Sequence, residues 1–70
     1  MKRVDLLKKI RTAAAGKGVD FGLHREGTSH SIYRCDGQNV VVPRHTEINE
    51  ITARAIMRDL EDQLGKGWWR

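Results

Sequence analysis

Asp36-Gly37 is the pair that most restricts what this chain can fold into. Both positions of such a pair tolerate positive φ, as a tight two-residue β-hairpin requires. The flanking residues are strand formers: His30 to Cys35 arrives through Ile32 and Tyr33, and Gln38 to Val42 leaves through Val40-Val41-Val42. A hairpin here makes these two strands antiparallel neighbours. Three consecutive valines leave the inner face of the outgoing strand undetermined, and Pro43 ends that strand or lies at a sheet edge.

Upstream, Val19-Asp20-Phe21-Gly22-Leu23-His24-Arg25 alternates apolar and polar residues and reads as a half-buried strand. Val19, Phe21 and Leu23 are expected to face the core, with Gly22 and His24 facing away. Glu26 to Ser29 is a short link, which favours an antiparallel return. Amphipathic segments flank the strands. In residues 2–15, Leu6, Leu7, Ile10, Ala13 and Ala14 recur at helical spacing, and Gly16 is the expected cap. Asn49 is a good N-cap for a second helix, and Ile48 is placed to pack on Ala53 across it. The apolar stripe Ala53, Ile56, Met57, Leu60 and Leu64 runs from there to Gly65, and Ile51 lies off it. The fold class expected is α+β: helix, three-stranded antiparallel meander, helix, with both helices on one sheet face.

With 70 residues the chain forms one domain, 1–70, with a core over about 4–64 and a tail from 65 to 70. A domain this short buries only about 60% of its unfolded surface, so Trp68 and Trp69 are expected to fold back and enlarge the core. No apolar run reaches the ~20 residues of a membrane span. The lone Cys35 has no internal disulfide partner, and a small domain without disulfides suits a reducing cytoplasm.

Charge is unevenly spread. Residues 1–18 carry six basic side chains against Asp5 alone, residues 19–46 are balanced, and residues 47–70 carry four basic and five acidic groups. A basic N-terminal element points to a polyanion partner, although a solvated helix face accounts for the same charges.

His24, His30, Cys35 and His45 are metal-ligand types, but their spacing matches no metal-site pattern, so neither a metal nor another cofactor is expected. Cys35 lacks the flanks of an activated thiol, and Gly16-Lys17-Gly18 is too short for a nucleotide phosphate loop. His30 stands apart. Gly27-Thr28-Ser29 is a tight polar turn that runs straight into a strand, and a histidine at such a junction is held firmly while still meeting solvent. Histidine alone has an unperturbed pKa near working pH, and RNA carries its own nucleophile in the 2′-hydroxyl. Histidine acid–base cleavage of RNA therefore fits these residues. A plain surface histidine at a strand end, or RNA binding without cleavage, fits them as well.

Three segments in order resemble one known family. They are Leu6-Leu7-Lys8-Lys9-Ile10, Gly27-Thr28-Ser29-His30-Ser31-Ile32-Tyr33, and Val41-Val42-Pro43-Arg44-His45, followed by the helix beginning near Ile48. Over about residues 4–64 the chain is similar to the HicA-type toxins, small mRNA interferases of bacterial type II toxin–antitoxin pairs. The resemblance implies a fold like that of a double-stranded-RNA-binding domain, His30 as the catalytic histidine, and a HicB-type antitoxin that masks it. Many members carry a shorter Gly-Ser-His motif, whereas here Thr28 lengthens the turn by one residue.

The leading expectation is therefore a metal-independent endoribonuclease acting on mRNA, with His30 as general base or acid and a second group, water or a basic side chain, completing the proton transfers. Arg25, Arg34 and Arg44 are candidates for phosphate contact, and Lys8, Lys9 and Lys17 for a wider RNA-guiding surface. The alternatives are a non-catalytic RNA-binding module of the same fold, and a protein-interaction domain that uses Ile51 and the tryptophan tail.

Overall fold

In the computed structural model, which describes residues 1–70, the elements follow in the order α1 (Arg3–Lys17), β1 (Phe21–Glu26), β2 (His30–Cys35), β3 (Gln38–Pro43), α2 (Glu50–Asp59) and α3 (Glu61–Leu64). The strands form one antiparallel sheet in the order β1-β2-β3. The hairpin pair behaves as its residues require: Asp36 has φ 51° and Gly37 φ 85°, and Cys35 pairs with Gln38 across the turn.

α1 buries Leu6, Leu7, Ile10 and Ala14 on one stripe. It ends two residues later than expected. Gly18, not Gly16, takes the left-handed conformation, at φ 70° and ψ 28°. Its N–H donates to the Ala15 carbonyl at 3.2 Å and the Val19 N–H to the Ala14 carbonyl at 3.0 Å, a paired closure that satisfies two of the last carbonyls. Val19 also packs against the core that holds Ala14, so the apolar contact selects Gly18 over the earlier glycine.

Register decides the valine run. Ser31 pairs with Val42 and Tyr33 with Val40, and these four are buried with Cys35, so they make the inner face. Val41 pairs with Ile32 on the other face and is 52% exposed. All fully covered sheet residues lie on that one face, beneath the helices, and the opposite face is open.

β1 departs from simple alternation. Its register shifts between Leu23 and Arg25, leaving His24 as the extra residue of a bulge. Arg25 then pairs with Ile32 on the open face, and Glu26 with Ser31 on the inner one. The expected inward burial of Leu23 does not occur: it is 54% exposed. β1 is an edge strand whose cover runs out along its length; Phe21 stacks on Tyr33 at 5.2 Å under the Arg11 guanidinium, while Leu23 onward meets solvent.

Asn49 caps α2 as its side chain suggests, accepting the Ile51 N–H at 2.7 Å, and Ile48 and Ala53 are both buried beside it. The second helix is not continuous to Leu64. At Leu60 the backbone turns (φ −94°, ψ 5°), and a short α3 follows. The break leaves Leu60 and Leu64 both buried and brings α3 against α1. The tail folds back as expected: Trp68 and Trp69 pack on the core, and the Trp68 indole N–H donates to the Met57 carbonyl at 2.7 Å. One apolar cluster joins α1, β2, β3, α2 and α3, with Leu6, Ile10, Leu60 and Val42 fully buried. Each such side chain contributes about 1.5–3 kcal/mol by leaving water. No helix is long and apolar enough to cross a membrane.

Candidate functional site

The turn before β2 is held from several directions. The Gly27 N–H donates to the His30 carbonyl at 2.8 Å, closing the loop over Thr28 and Ser29. The approach is so close that a Cβ on Gly27 would lie 2.8 Å from the His30 carbonyl oxygen, which is why glycine is needed here although its φ is not positive. The Gly27 carbonyl accepts from Arg44 Nη1 at 3.0 Å, and the Arg44 N–H donates to the Ser29 carbonyl at 3.1 Å. The chain leaving β3 thus grips both sides of the loop.

Beneath the loop, Ser31 is fully buried, and its hydroxyl works in both directions. It accepts from Arg3 Nη2 at 2.9 Å and donates to Glu26 Oε1 at 2.6 Å. Arg3 also donates through Nε to the Pro43 carbonyl at 2.9 Å, and Glu26 Oε2 lies 3.3 Å from Arg44 Nη2. Arg3, Ser31, Glu26 and Arg44 therefore form one chain of contacts from the start of α1 through the ends of all three strands. A buried hydroxyl between a cation and an anion is satisfied on both sides, which makes the loop base stiff.

His30 opens β2 above this base. Ser31 points inward, so His30 points to the open face with Ile32, and it is exposed. Its Nδ1 meets Ser29 Oγ at 3.2 Å, which leaves Nε2 as the nitrogen free to meet a ligand.

The six basic candidates separate clearly. Arg25 shares the open face with His30: it pairs with Ile32, two residues along β2, so the two are diagonal neighbours about 7–8 Å apart by sheet geometry. Arg44 lies at the same end of the sheet but is engaged by Glu26 and the Gly27 carbonyl. Arg34 is on the open face toward the far end of β2, bonded through Nε to Asn39 Oδ1 at 3.0 Å. Lys8 and Lys9 are exposed on α1, on the helix side of the domain, beside Trp68. Lys17 is at the other end of α1, about 21 Å along the helix axis from Arg3 by helical rise, near Gly65. Only Arg25 and Arg44 are brought to His30.

Nowhere do three His, Cys, Asp or Glu side chains gather as a metal-ligand set. His24 is the bulge residue of β1, and His45 lies in the loop after β3. Cys35 is buried at the other end of β2 from His30; burial, then the nearby Asp36 charge, push its thiol pKa up, opposite to what a nucleophile needs.

No family model, curated protein or solved structure matches the chain.

Reasoning from sequence missed Arg3, Glu26 and Ser31. Arg3 read as one of many basic residues of α1, and Glu26 as part of a turn. The signal for Ser31 was present: a serine one residue before Ile32 sits on the same alternation as the buried Tyr33 and Cys35.

Proposed function

We propose that this protein is an endoribonuclease of the HicA toxin type, with His30 as its catalytic residue. The observation that carries this reading is a solvent-facing histidine on a loop whose backbone is clamped by Arg44 and underpinned by the buried Arg3–Ser31–Glu26 contacts. Such support is more than a surface histidine needs. It is what catalysis requires, because a displaced catalytic group loses rate steeply. The element order, a helix, an antiparallel meander and a second helical segment, agrees with the double-stranded-RNA-binding-domain-like fold that the resemblance implies.

The chemistry follows from what stands beside His30. With Nδ1 against Ser29, Nε2 removes the 2′-hydroxyl proton of the bound nucleotide. The 2′-oxygen attacks the adjacent phosphorus, the bond to the 5′-oxygen of the next nucleotide breaks, and that oxygen takes a proton. The products are a 2′,3′-cyclic phosphate and a 5′-hydroxyl end. Negative charge grows on the phosphate oxygens as the bond forms, and Arg25 is the side chain on the same face placed to oppose it. Water or a basic side chain supplies the leaving-group proton. RNA provides the nucleophile, so the reaction as written calls for no metal ion.

The open face around His30 also suits a protein cover. Ile32 and Val41 present apolar surface in one cross-strand row with Arg25, beside His30, and a HicB-type antitoxin seated there would hide His30 from mRNA. The test is RNA cleavage by the purified protein in EDTA, with His30→Ala beside it. Cleavage by the parent and none by the variant is the expected result. Equal cleavage by both removes His30 from the mechanism. Binding without cleavage by both leaves an RNA-binding module.

A further inference from the structure

The one concave feature of the surface lies away from His30. A groove of about 460 Å³ runs between α1 and the folded-back tail, with Met1, Ala13 and Trp68 as its apolar lining. Lys8 and Lys9 line it, with Asp5 as the one lining carboxylate; Glu47 and Glu50 nearby are taken up by the Met1 ammonium at 2.7 and 3.1 Å. Trp68 is held in place by its bond to the Met57 carbonyl and by packing on the core. Trp69 meets it edge-on at 6.0 Å and 82°, and the Arg70 guanidinium lies 5.6 Å from the Trp69 ring centre. Trp68 is thus the aromatic ring of the groove itself, with Lys8 and Lys9 beside it, and Trp69 and Arg70 border it through Trp68.

The combination narrows the ligand. An apolar molecule gains nothing from two lysines, and an acidic peptide gains little from a fixed indole. A flat π-face for stacking and a polyanionic backbone for lysines occur together in single-stranded nucleic acid. The volume is in the range of small-ligand pockets. We propose that this groove is a subsite for single-stranded RNA, with a base against Trp68 and flanking phosphates at Lys8 and Lys9. The proposal rests on the reading of RNA as this protein's ligand. The groove is on the helix side of the domain and His30 is on the open sheet face, so the subsite acts on affinity and not on bond cleavage.

The test uses the His30→Ala protein, which leaves RNA whole, titrated with a short oligoadenylate while tryptophan emission is followed. Trp68 and Trp69 are the only tryptophans, one lining the groove and the other packed edge-on against it, so the signal reports on the groove and its border. Saturable quenching is expected, weakening as salt rises. Lys8→Gln with Lys9→Gln lowers the slope of log affinity against log salt by about 1.4, the value for two phosphate contacts on a single strand. Read by the anisotropy of an end-labelled oligoadenylate, since these variants lose the groove's own fluorophore, Trp68→Leu weakens binding by at least about fivefold, the lower range for losing a base stack, while Trp68→Phe retains most of it. Circular dichroism checks that each variant is folded. If Trp68→Leu is not, the lysine pair decides, because those side chains are exposed and outside the core. Absence of quenching, an unchanged salt slope, or equal quenching by an oligoglutamate of matching charge overturns the proposal. If wild type cleaves RNA but oligoadenylate does not quench, the subsite falls alone. If quenching persists and cleavage is absent, the nuclease reading falls alone.

Discussion

Ser31→Ala removes one oxygen atom from a residue wholly shielded from the surface, yet its effect reaches both stability and cleavage. The hydroxyl is fully buried, accepts from Arg3 and donates to Glu26. Hydrogen bonds to charged partners contribute about 1.5–3 kcal/mol each. Both partners here are part-exposed, and water replaces some of what is lost, so the two bonds together are worth about 2 kcal/mol, below their nominal sum. A domain of this size loses about 4–8 °C in Tm per kcal/mol, which places the Ser31→Ala transition about 8–16 °C below the parent. The assay is thermal unfolding followed by circular dichroism, with Ser29→Ala as an exposed control expected to stay close to the parent. RNA cleavage measured well below both transitions should also fall, because Glu26 and Arg44 lose the anchor that orients the His30 loop. A Tm within about 2 °C of the parent, below what even a single lost bond produces, refutes the claim that this hydroxyl ties α1 to the sheet.

Two other outcomes follow from the same contacts, and a third from the far end of β2. Gly27→Ala drives a Cβ against the His30 carbonyl, and displacement of the loop should lower cleavage about 100-fold while lowering Tm by only about 4–8 °C, read by rate and melt side by side. Arg44→Gln breaks a half-exposed ion pair worth about 0–1 kcal/mol, so stability changes little, but kcat should fall with KM nearly unchanged, and Arg44→Lys, lacking the fork that reaches both Glu26 and Gly27, should not restore it. Cys35 gives a pH dependence. Its folded-state pKa is raised by burial and by Asp36, so the unfolded thiol ionises first as pH rises. The stability it contributes is whole below about pH 8.5 and is lost as pH climbs through the raised folded value. Tm should therefore fall more steeply in alkaline buffer for the parent than for Cys35→Ala, and native Cys35 should resist alkylation until the protein is denatured.

Where a local pattern had only one outcome, the sequence was enough. Asp36-Gly37 admits a tight hairpin, Asn49 caps a helix, and the stripe in α1 has one apolar side; all three appear in the structure. Where neighbours far along the chain decide, it was not. The three valines were ambiguous until pairing with Ser31 and Tyr33 set their register. Gly18 was preferred to Gly16 because Val19 had a core to reach. The bulge at His24 changed which side Arg25 and Glu26 face, and no residue there announces it; nor does any proline or glycine mark the break at Leu60. At the candidate site, His30 was visible from its turn. Its support was not, because Arg3, Ser31, Glu26 and Arg44 meet only after the sheet closes and α1 crosses it.

The measurement that bears most directly on the central claim is the chemistry of the ends left on RNA by the purified protein in EDTA. Attack by the 2′-hydroxyl under His30 control predicts 2′,3′-cyclic phosphate and 5′-hydroxyl ends, produced by the parent and not by His30→Ala. Products with 3′-hydroxyl and 5′-phosphate ends, or cyclic phosphate formed equally by the two proteins, would contradict it.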